Sequence, residues 1–68
     1  MEKGKNYGYN SIETFAEKNQ FAIDELGKNR VGESFLILDH WDKDIIISFV
    51  LIGATNNQYL YECIYSDL

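Results

Sequence analysis

The chain has 68 residues, a net charge of −5, 46% hydrophobic and 15% aromatic residues, and one cysteine, Cys63. A chain near this length buries only about 60% of its unfolded surface, so one domain with a marginal core is the most it can form. The lone cysteine excludes an internal disulfide, the apolar content excludes disorder, and the acidic balance excludes direct nucleic-acid binding by a basic patch.

Taken in chain order, residues 1–9 are polar, with Gly4, Gly8 and the tripeptide Tyr7-Gly8-Tyr9. They read as a flexible or loosely docked arm. The start has positive charge but no apolar stretch behind it, so no secretory signal is expected. Asn10 or Ser11 then reads as a helix N-cap, with Glu13 three residues after Asn10. Ile12, Phe15, Ala16, Ala22, Ile23 and Leu26 recur at helical spacing. Gly27 or Gly32 ends that pattern, and Lys28 and Arg30 suit a helix C-terminus. One helix over 11–27 is predicted.

The remainder reads as strands near 33–41, 44–54 and 58–66, rich in β-branched and aromatic residues. Asp42-Lys43 and Asn56-Asn57 supply the turns, and turns this short require antiparallel neighbours. The expected fold is α+β: one N-terminal helix packed on a three-stranded antiparallel meander, in one domain. The apolar run Ile45–Ala54 is broken by Ser48 and is far short of the roughly 20 residues that span a bilayer. No membrane partner is therefore expected, and a cytoplasmic location is the default.

The turns also predict a register. Two-residue loops pair Ile37 with Ser48, Thr55 with Gln58, and Val50 with Cys63. One face then carries Leu36, Leu38, Ile45, Ile47, Phe49, Leu51, Leu60 and Ile64, a seat for the helix. The other carries Phe35, Ile37, Asp39, Trp41, Ile46, Ser48, Val50, Ile52, Tyr59, Tyr61, Cys63 and Tyr65. A sheet with one face in water alternates apolar and polar cleanly, and this one does not. A cover is expected over the tyrosines: the arm with Tyr7 and Tyr9, a second copy, or another protein. Trp41, Tyr59, Tyr61 and Tyr65 are the candidate partner-binding residues, because interfaces favour large, stiff, half-polar side chains. Phe21, opposite the centre of the helix stripe among charged neighbours, is a further candidate anchor.

Charge adds a second argument. Residues 1–30 carry five carboxylates against five cations, so all of the net charge lies in residues 31–68. Asp39, Asp42, Asp44, Glu62 and Asp67 are the groups that would meet a basic surface. Motifs for catalysis or cofactors are missing. There is no glycine-rich phosphate loop and no His-Glu-x-x-His, and the acidic turn Asp39–Asp44 lacks the glycine and distal glutamate of a calcium site. His40 and Cys63 fall on opposite faces of the predicted register and form no thiol dyad. No enzyme, cofactor or metal is expected.

A small acidic α+β chain with an uncovered aromatic face resembles, in size and charge, the small inhibitor proteins of phages and mobile elements, among them anti-restriction and anti-CRISPR proteins. The resemblance implies a non-catalytic protein that masks a surface of a larger partner, such as a basic nucleic-acid-binding groove. The alternatives are a homodimeric structural or accessory subunit, whose tyrosine face is its own interface, and an immunity protein that neutralises a toxin.

Overall fold

A computed structural model describes residues 1–27, 29–55 and 58–68. It shows one helix, α1 (Tyr9–Asn19), and five strands: β1 (Asn6–Gly8), β2 (Phe21–Gly27), β3 (Ser34–His40), β4 (Ile46–Thr55) and β5 (Gln58–Ser66). The strands form one antiparallel sheet in the order β1-β5-β4-β3-β2. The fold is thus mostly β, and the expected three-stranded meander is corrected to five strands. The turn expected at Asn56-Asn57 and the basic helix end expected at Lys28 lie outside the described residues.

The extra strands come from both ends of the expected helix. α1 starts at Tyr9, two residues before the predicted start, with Gly8 as a cap that offers no side chain. It stops where Gln20 takes a left-handed conformation (φ 63°) and returns its N–H to the Ala16 carbonyl. No glycine or proline marks that stop, because Gln20 pays the left-handed strain itself. Beyond it, Phe21–Gly27 forms a ladder with β3 from Phe21↔His40 to Gly27↔Ser34. Ala22, Ile23 and Leu26 fit a helical stripe, but Phe21 and Ile23 also fit strand alternation. The ladder decides between them, since pairing seven residues outweighs a weak helical preference. Gly27 closes this strand at φ 84°, where a Cβ would lie 2.7 Å from the Glu33 carbonyl oxygen.

The N-terminal segment is equally tied down. β1 pairs Asn6↔Glu62, Tyr7↔Tyr61 and Gly8↔Leu60. The Gly4 N–H donates to the Cys63 carbonyl at 2.8 Å, and the Cys63 N–H to the Lys5 carbonyl at 2.9 Å. The expected loose arm is therefore the edge of the sheet. Tyr7 packs edge-on against Phe49, with ring centroids 6.2 Å apart.

One face of the sheet holds the core. Ile12 and Ala16 of α1 pack with Phe21, Leu36, Leu38, Ile47, Phe49, Leu51, Tyr61 and Cys63. The β3–β4 register agrees with the expected Ile37↔Ser48 pair. The β4–β5 register also begins as expected, at Thr55↔Gln58. It then shifts between Leu51 and Gly53, and again between Ser48 and Phe49. Ile52 is the extra residue at the first irregularity and Ile64 at the second. Val50 consequently faces Glu62 and not Cys63. A slip of one residue moves a strand's side chains to the opposite face. Tyr61 and Cys63 thus enter the core, while Leu60 and Glu62 turn outward.

Candidate functional site

The face opposite α1 has no cover among the described residues. Cross-strand pairing arranges it in rows. The longest runs Leu26–Phe35–Val50–Glu62–Asn6 across all five strands. Beside it runs Asp24–Ile37–Ser48–Tyr65, followed by Ala22–Asp39–Ile46. Leu60 stands on the other side of the long row, between Gly53 and Gly8. Leu26 keeps 47% of its surface exposed, Phe35 39%, Ile46 37% and Leu60 42%. Ile37 and Val50 are half-buried between them. Scattered single apolar residues on a surface are ordinary; side chains set side by side on neighbouring strands form a patch.

The residues singled out from the sequence divide between several places. Tyr65 and Asp39 lie on this open face, both exposed. Tyr61 and Phe21 lie in the core at 5% and 6% exposure, so the expected surface positions of both are corrected. Phe21 is a strand residue, stacked on Phe15 at 5.6 Å and met edge-on by His40 at 5.1 Å. Tyr59 is half-buried on the helix side, and its hydroxyl accepts a hydrogen bond from the Asn29 amide. Trp41 is 71% exposed in the β3–β4 connection, its N–H donating to the Gln20 carbonyl. It lines a shallow depression of about 380 Å³ with Glu13, Glu17 and Phe21. Asp42 and Asp44 are exposed in the same connection. The expected single aromatic face is therefore not assembled. The bulge at Ile52 turns Tyr59 and Tyr61 to the helix side, and the second irregularity, at Ile64, returns Tyr65 to the open face.

Sequence reasoning gave Leu26 to the helix stripe and Leu60 to the core. Both belong to the open face. The usable signal was Glu62: a straight register buried this carboxylate and exposed Cys63, the reverse of what each side chain prefers.

A second concavity, about 980 Å³, opens at the end of the sheet where α1 begins. Tyr9, Tyr59, Tyr61, Glu25 and Asn29 line it. Burial raises the Tyr9 and Tyr61 hydroxyls above the ordinary phenol pKa, and the nearby Glu25 carboxylate adds to both shifts. The Tyr9 and Tyr61 rings are tilted at 6.3 Å.

His40 and Cys63 lie on the same face, which corrects the expectation of opposite faces. They still make no pair. Cys63 aligns with Phe49 on β4 and His40 with Ile45, four positions or about 13 Å along the strand. His40 Nδ1 accepts from the Asp42 N–H at 3.0 Å, while the Cys63 thiol points at the Tyr65 carbonyl. Burial raises the thiol pKa, which suits a structural cysteine more than a nucleophile. Among the described residues no group of three or more His, Cys, Asp or Glu side chains is placed to hold a metal ion. No helix of the described chain is long and apolar enough to cross a membrane.

Comparison with protein families, with characterised proteins and with solved structures finds no match to this chain.

Proposed function

We propose that this protein is a non-catalytic binding protein that masks a surface of a larger protein, as the phage and mobile-element inhibitors it resembles in size and charge do. The observation that supports this reading is the open sheet face. Leu26, Phe35 and Val50 sit side by side on three neighbouring strands, with Ile37, Ile46 and Leu60 around them. Covering such a patch releases about 25 cal/mol for each Å² of apolar surface removed from water. The contact surface is this face and not the tyrosine cluster, because Tyr61 is already committed to the core.

The test is capture from a lysate with matched baits. The native protein is compared with a Phe35→Ser, Leu60→Ser double variant and with Trp41→Ser. Circular dichroism first confirms that the baits fold alike. The expected outcome is a partner retained by the native and Trp41→Ser baits and lost with the double variant. A partner lost only with Trp41→Ser would move the contact to the β3–β4 connection and overturn the reading.

A further inference from the structure

We infer that the occupant of the open face is a cationic amphipathic helix of the partner, laid along β3 and β4 with its apolar stripe on Phe35, Ile37, Ile46 and Val50 and with Leu26 and Leu60 at its flanks. The inference rests on the open face being the contact surface proposed above, and adds what covers it. Three carboxylates occupy outward strand positions on the face, Asp24 on β2, Asp39 on β3 and Glu62 on β5, and Asp67 stands at its edge beside Tyr65. Among the described residues no lysine or arginine occupies an outward strand position there. At the rim, Lys5 and Arg30 each meet a carboxylate at 3.3 Å, from Glu2 and Glu33. The face is therefore apolar at its centre and anionic at its sides.

Spacing points to a helix. Asp24 and Glu62 stand three strands apart in adjacent rows, so measured across the strands their backbones are separated by about 14 Å. A helix with its side chains is about 10–12 Å across. One helix fits between the two carboxylates, with lysines or arginines on its flanks reaching one on each side. The same charges disfavour a second copy. Two such faces laid together bring both sets of carboxylates into one interface with no cation from the described strand positions of either face, and like charges so placed repel.

The probes are three peptides of about 18 residues, some five helical turns. Each has the same leucine stripe, and its other positions are lysine, glutamine or glutamate. Each is titrated into the isotopically labelled protein and followed by amide NMR, while sedimentation reads the protein's self-association. The lysine peptide should shift the amides of Asp24, Leu26, Phe35, Ile37, Val50 and Glu62. It should bind at least about tenfold more tightly than the glutamine peptide at low salt, and lose that advantage as salt screens the charges. Changing Asp24→Asn, Asp39→Asn and Glu62→Gln together should remove the advantage; changing Asp42→Asn and Asp44→Asn should not. Equal binding of the lysine and glutamine peptides on this face would overturn the inference and leave the masking function standing. Lysine-peptide shifts confined to the helix side, or self-association lost on Phe35→Ser, would overturn the inference too. Lysate capture indifferent to Phe35 and Leu60 is the separate result that removes the function itself.

Discussion

Phe49 and Phe35 stand on adjacent strands of one sheet. Phe49 has no exposed surface, while Phe35 keeps 39% of its own. The difference lies in what each face can recruit. Ile12 and Ala16 of α1, Tyr7 of β1 and Phe21 of β2 all close on the Phe49 side. Among the described residues, no element packs over the other side. Comparing the two faces therefore separates residues that specify the fold from residues that remain available to a partner.

The sharpest way to break that comparison is to truncate one phenylalanine on each face. Phe49→Ala should cost about 3–5 kcal/mol, the range for large side chains lost from a packed core. Total stability of small domains is only about 5–15 kcal/mol, so this variant should unfold near room temperature or fail to fold. Phe35→Ala should stay within about 1 kcal/mol of the native protein. Urea denaturation of both measures the contrast. Equal losses would mean that Phe35 is part of a core and the open face is not open.

A second test addresses the device that sorts side chains between the faces. Deleting Ile52 leaves Leu51 beside Gly53, whose partners Tyr61 and Leu60 are themselves adjacent. The ladder then runs straight from Thr55 to Phe49, with Tyr61 and Cys63 still inside. The deletion should fold, at a cost of about 1 kcal/mol for the half-buried isoleucine. A bulge-free β4–β5 pairing would respond in the opposite way. There the same deletion would turn one strand inside out and abolish folding. Near-native amide shifts for Tyr61 and Cys63 in the deletion variant would support the bulge.

The bulge also explains how much could be read in advance. β3 and the near half of β4 were legible, because alternation and the Asp42-Lys43 turn determine Ile37↔Ser48. The strand at Phe21–Gly27 was not, since Ala22, Ile23 and Leu26 satisfy helical spacing and Gln20 gives no sign that it ends a helix. The edge strand at Asn6–Gly8 is three residues long and carries no periodic signal. The candidate site was legible in kind but not in place. An uncovered apolar face was foreseen, yet one inserted residue decided that Leu60 and Glu62, and not Tyr61 and Cys63, belong to it.

Alkaline titration sharpens the comparison by a smaller step. Burial raises the folded-state pKa of Cys63, Tyr9 and Tyr61. A raised pKa means that the unfolded chain loses its proton first. The associated stability is fully present below the ordinary thiol value and is lost as pH climbs through the folded value. The melting temperature should therefore be insensitive to these groups at neutral pH and decline as pH rises past the ordinary thiol and then phenol ranges. Cys63→Val should flatten the first part of that decline and leave the tyrosine part. A decline that begins below neutral pH would show that these buried groups are not its source.

The smallest effect belongs to the open face. Tyr65 lies there beside Ser48, and its hydroxyl donates to a carboxylate oxygen of Asp67, whose other oxygen accepts the Ile46 N–H at 2.9 Å. The hydrogen bond from Tyr65 holds the Asp67 pKa below the ordinary carboxylate value, with the Ile46 N–H contributing, and it raises the Tyr65 pKa in return. A depressed carboxyl stabilises the fold above its unfolded pKa, and that contribution is lost as pH falls through the lower folded value. Both groups are exposed, so solvent screens the pair and its effect on the melting temperature should be slight. NMR titration of the Asp67 carboxyl reads it directly. Tyr65→Phe should move the Asp67 pKa up toward the ordinary value without returning it fully, because the Ile46 N–H remains. The core amides of Phe49 and Leu36 should not respond. A response there would mean that the two faces are energetically coupled, and that a partner seated on the open face would also be sensed across the sheet by the helix side.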